Sequence, residues 1–432
     1  MSELRSNILN AARESASMLN GLGSIAVREL RSRAVEILEH TDFPTVKHEE
    51  WKHTPVGSLL QAPFHINAEA SSSPVNSPLF SAEAYENVLV FVNGVYDIQH
   101  SRCGAAQVVA TGLHLGAPEN REFVDTHLGT LVSIQTNAFV AANTACITDG
   151  ALIRIPKNVV VDTPIVILSI IHADTSSVLV QPRNLIEVGE NAQVSIIMRT
   201  ESYGNNATLT NVVTECFLHA GAQCSWTSLQ DDHEQAAMIH SMQLHQKAHS
   251  VSRLMTVSLS GSVVRNDVGA ILAESGAEAN MLGVYSIAGS SLVDNHTVMD
   301  HRVPHCHSNE LFKGVVDGSA HAVFNGKIFV RQDAQKTLAY QSNRNILLSD
   351  TATVNTKPQL EIFADDVKCS HGCTIGTIDE EALFYARSRG ISEQQARALL
   401  LTAFLEDVTK EISDDGVRAV VHACIEQRMS IR

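Results

Sequence analysis

Soft metal-ligand side chains alternate near the C-terminal end of the sequence. Cys369, His371 and Cys373 occupy every second position after Lys368. In an extended strand, residues two apart point to the same side, so these three side chains would share one face. Thiolate and imidazole are the ligands that zinc, copper and iron–sulfur chemistry prefer. The spacing therefore predicts a site for a soft metal or cluster on one face of a strand.

One strand cannot complete such a site by itself. Same-face neighbours lie roughly 6.5–7 Å apart at Cα, whereas bonds between zinc and its ligands are about 2.0–2.3 Å long. The missing ligands must come from another segment or from another subunit. Imidazole binds metal only in its neutral form, so acid should weaken the site.

A second candidate group consists of His305, Cys306 and His307. On a strand, the two histidines would share a face, with Cys306 on the opposite one. Both groups have a structural explanation as well, since reduced cysteines pack well in cores. The residues leave open an alternative function, a self-sufficient metal-binding enzyme on a β-rich fold that uses His305, His307, Cys369 and His371.

Several catalytic motifs are absent from the sequence. It contains no Gly-x-x-x-x-Gly-Lys-Ser/Thr phosphate loop, no Gly-x-Ser-x-Gly elbow and no His-Glu-x-x-His. ATP hydrolysis by a phosphate loop is therefore not expected. Asp365 and Asp366 could form the acid pair of a β-helical polysaccharide enzyme. Only two tryptophans among 432 residues argue against the aromatic platform that such an enzyme uses.

Charge and hydropathy limit the partners and the compartment. The net charge of −16 argues against nucleic acid or an anionic membrane as the main partner. No apolar run approaches the roughly 18 residues that a membrane span needs, and the N-terminal stretch lacks the apolar core of a signal peptide. We therefore expect a cytoplasmic protein whose eight cysteines stay reduced.

The N-terminal third combines helices with a buried strand. Helical spacing is predicted by the apolar residues Leu9, Ala12, Leu19, Val27, Leu30, Ala34 and Leu38. A Ser/Pro-rich linker is expected near 70–78. The apolar run 88–92 predicts a buried strand, which ends at the hairpin-turn pair Asn93-Gly94.

The middle of the chain, from about 145 to 365, consists of short strand-like runs, which indicates a sandwich, a barrel or a β-helix. Gly189, Gly221 and Gly276 each precede a small residue by three positions. Glycine at a corner and a small side chain in a narrow interior favour the β-helix. Polar ladders between coils could include Gln335, Gln341 and Asn343.

The chain after Thr374 is predicted to be helical. Thr377 and Glu380 have the spacing of a capping box, with Thr377 as the N-cap, and Ser392 and Gln395 repeat that pattern before a second helix. The apolar stripe of the second helix is predicted to contain Ala396, Leu399, Leu400, Ala403, Phe404 and Val408.

At this point the chain resembles a known family. The run 365–372, Asp-Asp-Val-Lys-Cys-Ser-His-Gly, closely resembles the SufD-type signature of the SufB/SufD family of iron–sulfur cluster assembly scaffolds. The resemblance extends over nearly the whole chain, through the segments 50–54, 304–306, 322–326, 334–337, 358–362, 379–380, 383–385 and 389–391. One departure is Cys373, where family members commonly have Ala.

The resemblance implies a mainly β fold with a right-handed parallel β-helix between two helical domains. The expected boundaries are 1–110, with the linker, then 111–370 for the β-helix core and 371–432 for the C-terminal helices. It also implies a partner β-helical subunit, SufB, and an ABC-type ATPase, SufC. Sulfur donor proteins would act indirectly, and an isolated chain could form a homodimer.

The resemblance assigns the nascent-cluster role to His371, with Cys369 as its same-face neighbour. Cys373, His305 and Cys306 are weaker candidates. We expect a non-catalytic scaffold that shares a transient iron–sulfur cluster with its partner, and a reduced flavin in the complex is left open. The ATPase is expected to dock on the C-terminal helical region, at Thr377, Asp379, Glu380, Leu383, Phe384 and Phe404.

Overall fold

The architecture is mainly β. A computed structural model describes residues 3–18, 24–66, 85–105, 107–113, 118–135 and 137–430; the predicted linker near 70–78 and Leu19 lie outside them. Two sheets of mostly parallel strands wind into a β-solenoid of about eight turns, with helices before and after it. The predicted fold class, a mainly β protein with a parallel β-helix core between helical segments, is confirmed.

The solenoid has two long sheets, whose strands alternate along the chain from β8 onward. Sheet one contains β1 (His65–Ile66), β4 (Val109–Gly112), β5 (Ala151–Ile155), β7 (Val178–Val180), β8 (Arg183–Val188), β10 (Thr208–Leu218), β12 (Ala236–Gln246), β14 (Val263–Leu272), β16 (Leu292–His301), β18 (His321–Val330) and β20 (Thr353–Ile362). Sheet two contains β2 (Asn87–Val92), β3 (Val95–Tyr96), β6 (Ile165–His172), β9 (Gln193–Tyr203), β11 (Gln223–Gln230), β13 (Val251–Ser258), β15 (Glu278–Ile287), β17 (His307–Val316), β19 (Leu338–Leu347) and β21 (Lys368–Gly376).

Seven helices accompany the sheets in the described part of the chain. They are α1 (Glu3–Met18), α2 (Ile25–His40), α3 (Pro118–His127), α4 (Ala138–Ala145), α5 (Glu380–Ser388), α6 (Glu393–Thr409) and α7 (Asp415–Ser430). None of these helices has both the length and the hydropathy that a membrane span requires. The predicted strand at 88–92 is β2, and it forms an antiparallel hairpin with β3 around Asn93-Gly94, as expected.

Each coil turns through a residue with left-handed backbone. Gly221 and Gly276 have φ of 68° and 77°, as the corner hypothesis requires, but Gly189 does not have positive φ. The equivalent corner of that coil is Asn191, with φ of 57°, and later corners use non-glycine residues such as His249. The residue after each corner is small and buried, because it points into the narrow interior. What repeats from coil to coil is therefore the left-handed backbone of the corner residue. Glycine occupies this position in some coils and other residues occupy it in others.

The N-terminal segment docks on the outer face of sheet one through a buried cation. The guanidinium of Arg265 lies 3.8 Å from the ring centroid of Trp51. It also pairs with the carboxylates of Asp267 at 2.8 Å and Asp294 at 2.5 Å. Asp294 in turn accepts a hydrogen bond from the hydroxyl of Thr54. The motif 50–54 thus attaches the N-terminal segment to the solenoid.

A histidine next to this cation is charged at neutral pH. His296 lies between the carboxylates of Asp294, at 3.0 Å, and Glu50, at 3.3 Å. Burial disfavours the imidazolium, but the Asp294 charge outweighs it and raises the pKa of His296 to about 9. The hydrogen bond with His296 lowers the pKa of Glu50 to about 2. The junction is therefore a network of charges that compensate one another.

The C-terminal helices pack against the outer face of sheet two. Lys313 on β17 donates to the carbonyl oxygen of Phe404 at 2.6 Å and pairs with Asp407 at 2.7 Å. Apolar residues of α5, α6 and α7 join those of β13, β15 and β17 in one buried cluster. The solenoid and its last three helices therefore share a core.

The elements divide the chain at places other than the expected boundaries. The last solenoid strand continues to Gly376, beyond 370, since pairing with β19 keeps the backbone extended. Helices α3 and α4 fall within the range 111–370 that was assigned to the β-helix core, and β2 and β3 fall within 1–110. Three helices, not the two that the caps indicated, follow the solenoid in the described part of the chain.

Replacing Asp294 by Ala should destabilise the protein by about 3–5 kcal/mol, because Arg265 loses a partner for its buried charge. Denaturation by urea, followed by tryptophan fluorescence, would measure the loss. The control is Glu49→Ala, which removes the exposed Glu49–Lys357 pair of the same region and should cost much less, because an ion pair in contact with water contributes little to stability. Equal losses in the two variants would contradict the proposed importance of the buried cation.

Candidate functional site

The last strand of the solenoid carries the alternating soft side chains. On β21, Cys369 and His371 lie in register with Ala339 and Gln341 of β19, both of which face the interior. Cys369 packs against the interior core, and its neighbours Lys368 and Ser370 are exposed. Because residues two apart share a face, His371 and Cys373 continue the inner face that Cys369 begins. The predicted alternation is present, and its inner side belongs to the solenoid interior.

This inner face is open because nothing in the described residues covers the final coil. β20 and β21 are the end strands of their sheets. His371 and Cys373 are therefore exposed although they occupy interior positions, and Cys369 is half-buried. Burial raises the pKa of the Cys369 thiol. The solenoid thus ends in a shallow surface of soft side chains next to two unpaired strand edges.

The second candidate group lies two strands away. His305 is a corner residue with φ of 62° and an exposed side chain, so it does not share a strand face with His307 as predicted. Cys306 is fully buried in the core, where its thiol donates to the carbonyl oxygen of Glu274 at 3.4 Å, and burial raises its pKa. His307 opens β17 with an exposed side chain, on the opposite face from Cys306, as expected. This group therefore does not form a cluster of its own.

The residues of the self-sufficient enzyme alternative do not converge. His307 begins β17, and β21 lies two strands further along sheet two, at about 4.8 Å per strand. That separation is too large for one ion with bonds of about 2.0–2.3 Å. In the described ranges, no three His, Cys, Asp or Glu side chains are grouped so that they could hold a metal ion.

One member of the candidate acid pair, Asp366, makes its contacts at a coil corner. The carboxylate of Asp366 binds the ammonium of Lys336, and its backbone N–H donates to the side chain of Gln335 at 2.9 Å. Gln335 is therefore a corner residue that links two coils. Gln341 and Asn343, the other predicted ladder residues, are both buried and also bond between coils.

Buried polar side chains lie directly behind the open coil. Gln341 donates through Nε2 to the Oε2 of Glu310 at 2.5 Å, and the same oxygen accepts from Thr297 at 3.1 Å. Two residues further along β19, on the same face, Asn343 donates to the hydroxyl of Tyr285 at 3.0 Å. Burial raises the pKa of Glu310 to about 7. The interior thus changes from apolar to polar as it approaches His371.

Reasoning from the sequence did not identify Glu310, Tyr285 or Asn345 as part of this interior network. A signal was present on β19, where Gln341, Asn343 and Asn345 alternate as polar residues. Alternating polar residues usually indicate the solvent face of a strand, but these three are buried. For Glu310, the corresponding signal was an acidic residue at a position of β17 that points into the solenoid.

The predicted docking residues differ in accessibility. Thr377, Asp379, Glu380 and Phe384 are exposed, and Phe384 reaches 73% exposure. Leu383 is on the buried face of α5, and Phe404 is half-buried beneath the ammonium of Lys313. A cavity of about 340 Å³ between β21 and α6 is lined by Thr377, Asp379 and Phe404. Only the exposed members of the set are free for a partner.

Two local predictions about these helices require correction. Asp379, not Thr377, is the N-cap of α5, since its carboxylate accepts from the N–H groups of Glu381 and Ala382. The capping box of Ser392 and Gln395 is confirmed. The predicted stripe of α6 is confirmed only in part: Ala396 and Val408 are buried, and Leu400 and Phe404 pack against the same cluster. Leu399, in contrast, is 57% exposed and Ala403 is exposed, whereas Leu401, Leu405 and Thr409 are buried. Because α6 packs against both sheet two and α7, its buried face is rotated relative to the predicted one.

Comparisons with known proteins agree with the geometry. Residues 170–404 match the family described as SUF system FeS cluster assembly, SufBD core domain, and residues 3–167 match the SufBD protein N-terminal region. The chain is 33% identical to an iron–sulfur cluster assembly SufBD family protein of Synechocystis sp., over 97% of this chain and 95% of that one.

Two further relatives are more distant in sequence. The iron–sulfur cluster assembly protein SufD of Escherichia coli is 29% identical over 91% of this chain and 90% of its own. The chloroplastic protein ABCI7 of Arabidopsis thaliana is 27% identical over 91% of this chain and 84% of its own. Similarity thus extends over nearly the full length of each protein.

Replacing Glu310 by Gln should stabilise the protein at pH 8 but have little effect at pH 5. The folded-state pKa of Glu310 is raised to about 7, so its proton is lost from the folded protein as pH rises through 7, at a cost in stability. Between pH 5 and pH 8, we expect the free energy of unfolding of the variant, relative to the parent, to rise by about 2–3 kcal/mol. Urea unfolding at both pH values measures it, and a difference that does not change with pH would contradict the shift.

Proposed function

Because this chain belongs to the SufBD family of iron–sulfur cluster assembly proteins and is homologous to SufD, we propose that it is a scaffold subunit of a Suf assembly complex. In this proposal it pairs with a SufB-like subunit through the open end of its solenoid. A nascent cluster forms at that junction as cargo, which later passes to acceptor proteins. The chain itself catalyses no step.

The observation that carries this proposal is the exposed inner face of the last coil. Within the described part of the chain, no strand pairs with the outer edges of β20 and β21. Such edges readily add a strand from another chain. Large apolar side chains of this end are also exposed: Tyr340, Ile362, Phe363 and Ile375. A partner that continued the sheets would cover the strand edges and the apolar side chains together. Without the partner, the same surface would allow a homodimer.

The partner would also supply the ligands that β21 lacks. His371 and Cys369 share a face but are one strand repeat apart, too far to surround an iron atom alone. Cys373 extends the same row and is a weaker candidate. The corner position of His305 and the full burial of Cys306 make them less suitable still. The site is therefore proposed as half of a shared one.

ATP hydrolysis is assigned to a SufC-like ATPase docked on the C-terminal helices. The exposed side chains of Thr377, Asp379, Glu380 and Phe384 form the surface that we propose for it. Sulfur would reach the complex through donor proteins. Seven of the eight cysteines are free thiols in the structure, which supports a reducing compartment, the cytoplasm.

Replacing His371 by Ala should lower the amount of cluster formed in the reconstituted complex by at least about tenfold, since even residues that only support a ligand are worth about 10- to 100-fold. Anaerobic reconstitution with both partners, followed by visible absorbance, measures it. The control is His307→Ala, an exposed histidine of the same sheet, which should have no effect. Undiminished cluster formation by the His371 variant, in an intact complex, would overturn this assignment.

Replacing Phe384 by Asp should abolish co-purification with the ATPase but not with the β-helical partner, because a charge replaces an exposed apolar contact. Ile98→Asp is a matched control, since Ile98 is 67% exposed and lies outside the C-terminal helices. Retention of the ATPase by the Phe384 variant would show that docking occurs elsewhere.

A further inference from the structure

A single interior column changes character as it reaches the open end. At one register level, successive strands of sheet two carry Trp226, Leu254, Met281, Glu310, Gln341 and His371. The first three are apolar, as is normal for a solenoid interior, and the last three are polar. Glu310 and Gln341 are only 1% and 3% exposed. Burial of polar groups is costly unless they are hydrogen-bonded, so their contacts require an explanation.

Glu310 determines which way the amide of Gln341 points. The Nε2 of Gln341 donates to the Oε2 of Glu310 at 2.5 Å. The same end of the amide lies over Gly326 in the opposite sheet, where an added Cβ would be only 2.3 Å from Nε2. A flipped amide would place its carbonyl oxygen against the carboxyl oxygen of Glu310, which already accepts from Thr297. The carbonyl oxygen of Gln341 is therefore directed away from Glu310.

That carbonyl oxygen, Oε1, is buried and has no hydrogen-bond partner in the described part of the chain. Leaving a buried acceptor unpaired costs about 1–3 kcal/mol. The next residue of the column, one strand away at about 4.8 Å, is His371. An imidazole ring carries an N–H that can donate a hydrogen bond to this oxygen. The Oε1 of Gln341 is thus an unused acceptor next to a residue whose ring carries a donor.

We propose that Gln341, held by Glu310, is a positioning residue for His371. In this proposal the ring of His371 turns toward the Oε1 of Gln341, which has no partner in the structure, and donates the N–H of one ring nitrogen to it. This bond fixes the tautomer and directs the other nitrogen, with its lone pair, toward the open end. Histidines that bind metals usually donate their second N–H in this way, and the bond also holds the ring orientation. This inference rests on the proposed role of His371, but the tautomer itself can be measured without the partners.

The test uses the isolated full-length chain with ¹⁵N-labelled histidine. Long-range proton–nitrogen correlation spectra report the tautomer of each ring, and His371→Ala identifies the signals of His371. We expect one tautomer in the parent and a mixture of both in Gln341→Met, which keeps the volume but removes the acceptor. A mixture in the parent, or a single tautomer in Gln341→Met, would overturn the proposal.

Two further variants separate positioning from general damage. Glu310→Met should also give a mixture, because the amide of Gln341 is free to flip, whereas Glu310→Gln should restore the single tautomer, since its amide oxygen can still accept from Gln341. Tyr285→Phe removes a buried hydroxyl that bonds to Asn343, outside the column of Gln341, and should leave the His371 tautomer unchanged. If Tyr285→Phe has the same effect as Gln341→Met, the change reflects loosened packing and the proposal fails.

A functional measurement links the tautomer to cluster assembly. In the reconstituted complex, Gln341→Met should slow cluster formation by about tenfold or more, and Tyr285→Phe should not. If His371→Ala has no effect on assembly while the tautomers respond as expected, the proposed function fails and the positioning inference stands. Normal assembly by Gln341→Met together with an unchanged tautomer would overturn the positioning inference alone.

Discussion

The backbone hydrogen bonds between successive coils are the interaction on which this structure depends. Each parallel strand satisfies its N–H and C=O groups on the strand before it and the strand after it, so a coil is complete only when another coil follows. At the first end, antiparallel strands β3 and β4 terminate the sheets. At the other end, β20 and β21 each have one edge that no described strand pairs. The proposed interface is a direct consequence of where the solenoid ends.

The position of the terminal strand also gives its side chains two roles. An inward side chain in the middle of the solenoid is buried, whereas an inward side chain on β21 is open to a partner. His371 therefore has a rigid, packed column behind it and free space in front of it. Glu310 and Gln341 place polar groups in that column where earlier coils place Leu254 and Met281. An apolar column could pack the interior but could not orient an imidazole.

Local patterns predicted much of this arrangement, and long-range pairing accounts for most of the rest. The alternation on β21 and the cap at Ser392 depend on neighbouring residues and could be read from the sequence. The coil period could not, because the left-handed corners include His249 and Lys336 as well as glycine. The pairing of Gln341 with His371 depends on the register of strands about thirty residues apart. Similarly, no local pattern placed Trp51 beneath a guanidinium of β14.

Hydrogen exchange of the backbone amides of β21 tests the central claim most directly, because an amide at an unpaired edge exchanges readily and a paired one does not. Mass spectrometry of peptides covering 368–376 would compare the isolated monomer with its complex with the β-helical partner. The proposed interface predicts strong slowing of exchange in β21 and β20 on complex formation, with little change in β11 or β13. Unchanged exchange across 368–376 in a fully formed complex would show that the open end of the solenoid is not where the partner binds.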